Sequence, residues 1–129
     1  MSTIRISISL AVLALAALTL AAMPAAAKDG RDVRVSGVCT QSTTSKLKLS
    51  PEDGRIEAEF EVDQNRNGVR WNVFLYRNGK LVASTSATTR GPSGSFEVRR
   101  VLARAGSPTR ITAVARRASG ERCTAKASI

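Results

Sequence analysis

Beyond the first thirty residues, apolar and polar positions alternate with a period of two, the repeat of a strand that buries one face. No stretch there keeps the roughly 3.6-residue repeat of an amphipathic helix. The segment "RIEAEFEVD" is the clearest: Ile56, Ala58, Phe60 and Val62 fall on one side, Glu57, Glu59 and Glu61 on the other. "DVRVSGVCT" aligns Val33, Val35 and Cys39, and "SKLKLS" alternates Leu47 and Leu49 with Lys46 and Lys48. "RCTAKASI" collects Cys123, Ala125, Ala127 and Ile129 on a single face, and "VRWNVFLYR", "GSFEVRRVL" and "RITAVARR" read the same way. Turn-forming groups separate these runs, at 51–54, 65–68, Asn78-Gly79, 90–94, 106–108 and Ser119-Gly120. Seven or eight short strands at this spacing predict an all-β domain built as an antiparallel sandwich or barrel.

Turn chemistry predicts which side chains share a face. Asn78-Gly79 suits a two-residue type I′ turn, in which both central residues need positive φ. Tyr76 then lies opposite Leu81, Phe74 opposite Ala83, and Leu75 opposite Val82. At the last hairpin, a three-residue loop 118–120 with Gly120 left-handed sets Cys123 opposite Ala115 and Ala125 opposite Ala113. A two-residue turn would set Cys123 against Arg116 and mix the two faces, so the longer loop is expected.

The N-terminus changes the picture from a domain to a domain with a leader. Arg5 precedes an apolar run from Ile6 to Ala22, and "MPAAA" then leads into a charged segment. This is the order of a secretory signal, with Ala25 and Ala27 placed for cleavage after residue 27. The run is short for a span of about 20 residues. We therefore expect a signal peptide at 1–27, one domain at 28–129, no membrane span after cleavage, and a secreted, extracellular product. Two cysteines in an exported chain read as a disulfide, Cys39 to Cys123.

The order of strands, with an inward Trp71 followed by a tight hairpin, resembles an immunoglobulin-like or fibronectin-type sandwich. "DGRIEAEFEV", "NGVRWNV" and "PSGSFEV" are similar to segments of small exported Ig-like proteins of actinobacteria, which have no established activity. The resemblance covers the whole mature chain and implies the fold. It departs from antibody domains in linking the first and last strands by the disulfide, and in lacking the tyrosine corner.

Candidate chemistry is sparse. The chain has no His, which excludes His-based triads and His metal sites, and no cofactor motif is present. The loop "DQNRNG" places Asp63, Asn65 and Asn67 at the alternate positions that open a calcium loop, but position twelve is Phe74 where a bidentate Glu is required. Glu57, Glu59 and Glu61 are expected to form an outward stripe paired with Arg99 or a neighbouring Lys, on an open strand face without a cleft. An enzyme is not expected.

Net charge directs attention to binding. The whole chain carries 20 basic and 10 acidic residues. If the last two strands flank the Trp71 strand, the core face of that sheet carries Trp71, Val73, Leu75, Ile111, Ala113 and Ala115. The outer face then presents Phe74, Tyr76 and Leu81 beside Arg70, Arg116, Arg122 and Lys126, a combination suited to stacking and to holding anionic groups. The leading expectation is a non-enzymatic module binding a protein or an anionic envelope polymer, with no sequence-specific nucleic acid. Two alternatives stay open: a protease inhibitor presenting the 88–95 loop, and a polyanion binder driven by charge alone.

Overall fold

In the computed structural model, residues 31–129 are described, and the expected leader 1–27 lies outside them. Nine strands follow in order: β1 (Val33–Ser36), β2 (Val38–Cys39), β3 (Thr44–Glu52), β4 (Arg55–Asp63), β5 (Arg70–Arg77), β6 (Lys80–Thr88), β7 (Ser95–Ala103), β8 (Arg110–Arg117) and β9 (Arg122–Ser128). They form two antiparallel sheets, ordered β1-β3-β4-β7 and β2-β9-β8-β5-β6. The sheets share one core and do not close into a barrel, an arrangement compatible with a β-sandwich. No helix among the described residues is long and apolar enough to cross a membrane.

The period-two pattern is what builds that core. Ile56, Ala58, Phe60 and Val62 of β4 are fully buried, and Leu47 and Leu49 of β3 lie directly beside them. Trp71, Val73 and Leu75 of β5, with Ile111, Ala113 and Ala115 of β8, face them from the second sheet. Each large apolar side chain removed from water in this way stabilises the fold by about 1.5–3 kcal/mol.

The count of nine strands corrects the expectation of seven or eight, and Gly37 is the reason. "DVRVSGVCT" reads as one strand, but the chain changes sheets in its middle: β1 pairs with β3 in one sheet and β2 with β9 in the other. The Gly37 amide donates to the Ser45 carbonyl at 2.8 Å. A Cβ at residue 37 would collide with the Ser45 hydroxyl and sit 2.9 Å from the Thr124 carbonyl oxygen, so only glycine fits between the two sheets. Gly37→Ala is expected to cost about 1–3 kcal/mol, read as a lower urea midpoint with an unchanged m-value.

The hairpin β5–β6 needs a second correction. Tyr76 does lie opposite Leu81, and Asn78 and Gly79 both have positive φ. Leu75, however, pairs with Ala83 and Phe74 with Ser84, because a bulge between Leu75 and Tyr76 makes Val82 an extra residue. The inserted residue turns Ala83, Thr85 and Ala87 toward the core opposite Leu75, Val73 and Trp71; without it Ser84 and Ser86 would face inward. The final hairpin has the longer loop, with Gly120 at φ 91° and Cys123 opposite Ala115.

Cys39 and Cys123 are bonded, with Cα atoms 4.0 Å apart on the adjacent strands β2 and β9. The Thr40 amide donates to the Arg122 carbonyl at 2.9 Å, which makes the cysteines the neighbouring non-hydrogen-bonded pair, where side chains approach most closely. A disulfide is consistent with an oxidising, extracellular location.

Candidate binding face

The two sheets differ sharply in charge. The strands of the four-stranded sheet carry Arg34, Lys46, Lys48, Arg55, Arg99 and Arg100 against Glu52, Glu57, Glu59, Glu61, Asp63 and Glu97, and so balance. The strands of the five-stranded sheet carry Arg70, Arg77, Lys80, Arg110, Arg116, Arg117, Arg122 and Lys126 and no carboxylate at all. Five of these cations, Arg70, Arg110, Arg116, Arg122 and Lys126, stand at the even positions whose side chains leave the core. All five are exposed, and none makes an ion pair among the described residues.

Register sets the rest of this face. One row runs across the sheet from Ser84 through Phe74, Val114 and Thr124 to Val38. The next row places Leu81, Tyr76, Thr112 and Lys126 side by side, and a third brings Ser86, Asn72, Arg116 and Arg122 together. The face is thus an apolar seam with cations at both ends. Phe74 and Tyr76 are half-buried, Leu81 is exposed, and Val38, at 77%, is the most exposed large apolar residue among the described residues. The Arg116 guanidinium lies 6.0 Å from the Phe74 ring, within reach of a cation–π contact, and Arg70 donates to the Ser86 hydroxyl at 3.0 Å. Arg110 and Val38 belong to this surface, though sequence reading had not placed them there. Val114, only 3% exposed, is buried on the outer side and lies outside the common core.

Asp63, Asn65 and Asn67 build a loop. The Asp63 carboxylate accepts from the Asn65 amide at 3.0 Å, and Asn65 adopts φ 56°. Gly94 packs against the Asn65–Arg66 backbone so closely that a Cβ there would lie 2.7 Å from the Asn65 carbonyl carbon. Among the described residues, no group of three or more His, Cys, Asp or Glu side chains is placed to hold a metal ion.

Of the acidic stripe, Glu59 makes the expected pairs, while Glu57 and Glu61 make no ion pair among the described residues. Glu59 is 2.7 Å from Arg99 and 3.4 Å from Lys48, and Arg99 also reaches Glu97 at 3.3 Å. Glu59 first, then Glu57 and Glu97, raise the Arg99 pKa above its ordinary value. The face is not featureless as expected: an open depression of about 260 Å³ lies along β1 and β3, lined by acids and bases together, including Arg34, Lys46, Glu59 and Glu61.

A second charged group is hidden. Glu121, 1% exposed, accepts from the Arg117 guanidinium at 2.8 and 2.9 Å, and its Oε1 has no hydrogen-bond partner. Arg117 in turn lies 5.8 Å from the Trp71 ring, whose Nε1 donates to Gln64 Oε1 at 3.1 Å. In the 88–95 loop, Arg90 pairs with Ser95, and its carbonyl accepts from the amides of both Gly94 and Ser95.

Comparison with protein-family models, with curated proteins and with solved structures gives no match, so the chemistry of this face must be read from its own residues.

Proposed function

We propose that this chain is an exported, non-enzymatic module with an Ig-like sandwich, of the kind found in small actinobacterial proteins. Its ligand is an anionic polymer of the cell envelope, taken on the outer face of the five-stranded sheet. One observation carries the reading: that sheet's strands bear eight cations and no carboxylate, while the other sheet's strands are balanced. Charge of one sign on one face attracts an extended polyanion and releases its counterions. Phe74, Tyr76 and Leu81 offer flat apolar area between the cations for sugar rings or other ligand groups. The inhibitor alternative is less favoured, because the Arg90 carbonyl is already occupied by two amides and is not free to mimic a scissile bond.

The test is binding of the secreted protein to polyglutamate, a polyuronate and purified cell wall. Arg116→Glu with Arg122→Glu is expected to weaken binding about 10- to 100-fold, whereas Arg34→Glu on the opposite sheet leaves it within about twofold. Equal losses from both faces would reject the reading. If Phe74→Ala and Tyr76→Ala change nothing while affinity falls steeply with salt, charge alone suffices.

A further inference from the structure

The long edge of the five-stranded sheet points to a second interaction, independent of the charged face. A sheet edge presents unpaired amides and carbonyls that can accept another strand, and proteins ordinarily guard such edges with charge, proline, bulges or shortness. Three of the four edges here are guarded. β1 has four residues and includes Arg34, β2 has two residues, and β7 carries Arg99 and Arg100 near its centre. β6 is different: its bulge lies at Val82, next to the turn, and from Ala83 to Thr88 it has neither a charged residue nor a proline.

We propose that β6 pairs with β6 of a second copy of this chain, antiparallel and centred on Thr85. The first support is self-complementarity. Residues 83–87 read Ala-Ser-Thr-Ser-Ala, a palindrome, so a two-fold axis through Thr85 sets Thr85 against Thr85, Ser84 against Ser86, and Ala83 against Ala87. Like therefore meets like, as a two-fold interface demands, and cross-strand Thr and Ser pairs stabilise one another.

The second support is hydrogen-bond parity. The Thr89 amide donates to the Val69 carbonyl, and the register from there pairs Ala87 with Trp71, Thr85 with Val73 and Ala83 with Leu75. Alternation along an antiparallel ladder then directs the main-chain groups of the odd residues of β6 toward β5. Those of Ser84, Ser86 and Thr88 point out of the sheet. In the register centred on Thr85, Ser84 of one copy faces Ser86 of the other, so outward groups meet outward groups. A shift of one residue would set outward groups against inward ones. Lys80 approaches Arg90 of the second copy at either end of the paired segment, so added salt strengthens this association, opposite in sign to its effect on polyanion binding. Pairing continues the five-stranded sheet into a ten-stranded one and aligns two cationic faces, which would raise avidity for a long anionic chain.

The secreted protein is tested by analytical ultracentrifugation at low and high salt. Wild type is expected to form dimers that tighten as salt rises. Ser86→Pro removes an amide that the monomer does not use, at an edge position that tolerates proline, and is expected to weaken the dimer at least about tenfold. Ser86→Ala, which keeps the amide, stays within about twofold of wild type. If Ser86→Pro does not fold, Ser86→Lys serves in its place, its added charge carrying the same expected loss. A wild-type protein that stays monomeric in high salt at high concentration, or a dimer indifferent to these edge variants, overturns the proposal; so does a monomer whose β6 accepts only an unrelated extended peptide.

Discussion

Replacing Cys39 and Cys123 together by serine is expected to lower stability by about 3–4.5 kcal/mol. The bond closes a loop with a sequence separation of 84 residues, for which the chain-entropy cost in the unfolded state gives the upper end of that range. The lower end allows for structure that persists in the unfolded chain. In a domain of this size the change corresponds to a fall in Tm of roughly 15–30 °C. Location adds to the effect. β2 is two residues long, and its pairing with β9 involves only Val38 and Cys39. Without the bond, this segment stays in the five-stranded sheet only through that short ladder and the two hydrogen bonds between Thr40 and Arg122. Amide exchange in the serine variant should therefore quicken first across 33–40, with the β3–β4 core slowest. A loss below about 1 kcal/mol, or uniform quickening along the chain, would mean that packing and not the crosslink retains this segment.

The second large effect is expected at the hidden ion pair. Removing Arg117 strands a carboxylate that is 1% exposed, while removing Glu121 leaves a guanidinium that is 20% exposed and still faces Trp71. Breaking a buried pair from one side costs about 3–5 kcal/mol. Arg117→Met should lie at the upper end of that range, and Glu121→Gln should fall below it. Joint replacement by Met and Leu should cost less than Arg117→Met alone, because it leaves no charge in the core. Urea unfolding followed through the single Trp measures all three, since the ring beside Arg117 is the only indole present. Equal losses in the two single variants would show that desolvation does not control this site.

Much of this architecture is written in the alternation of side chains, and particular residues show where legibility stops. β4 is transparent because every apolar residue from Ile56 to Val62 alternates with a Glu, so only one face can be buried. The last hairpin is legible because only a three-residue loop keeps Cys123 and Ala125 on the side of Ala115 and Ala113. The β5–β6 register was misread beyond Tyr76, since a bulge leaves no mark in a run as permissive as "LVASTSA". Gly37 carries the change of sheet through a close approach between distant strands, and a local pattern does not report such distances. Glu121 carries no mark in the sequence: a glutamate's type favours exposure, and only the placement of Arg117 explains its burial. On the outer face, parity placed Phe74, Tyr76 and the arginines together. It did not show that the face lacks any acid, a property of topology that appears once strands are assigned to sheets.

The unequal distribution of charge between the two sheets gives the molecule a permanent dipole across its thin dimension. Near any negatively charged surface it experiences a torque before it touches, and it arrives with one side leading. On the proposed binding mode, molecules deposited in this way are expected to show the nearly neutral sheet to the medium, so that a coating of them ends after a single layer.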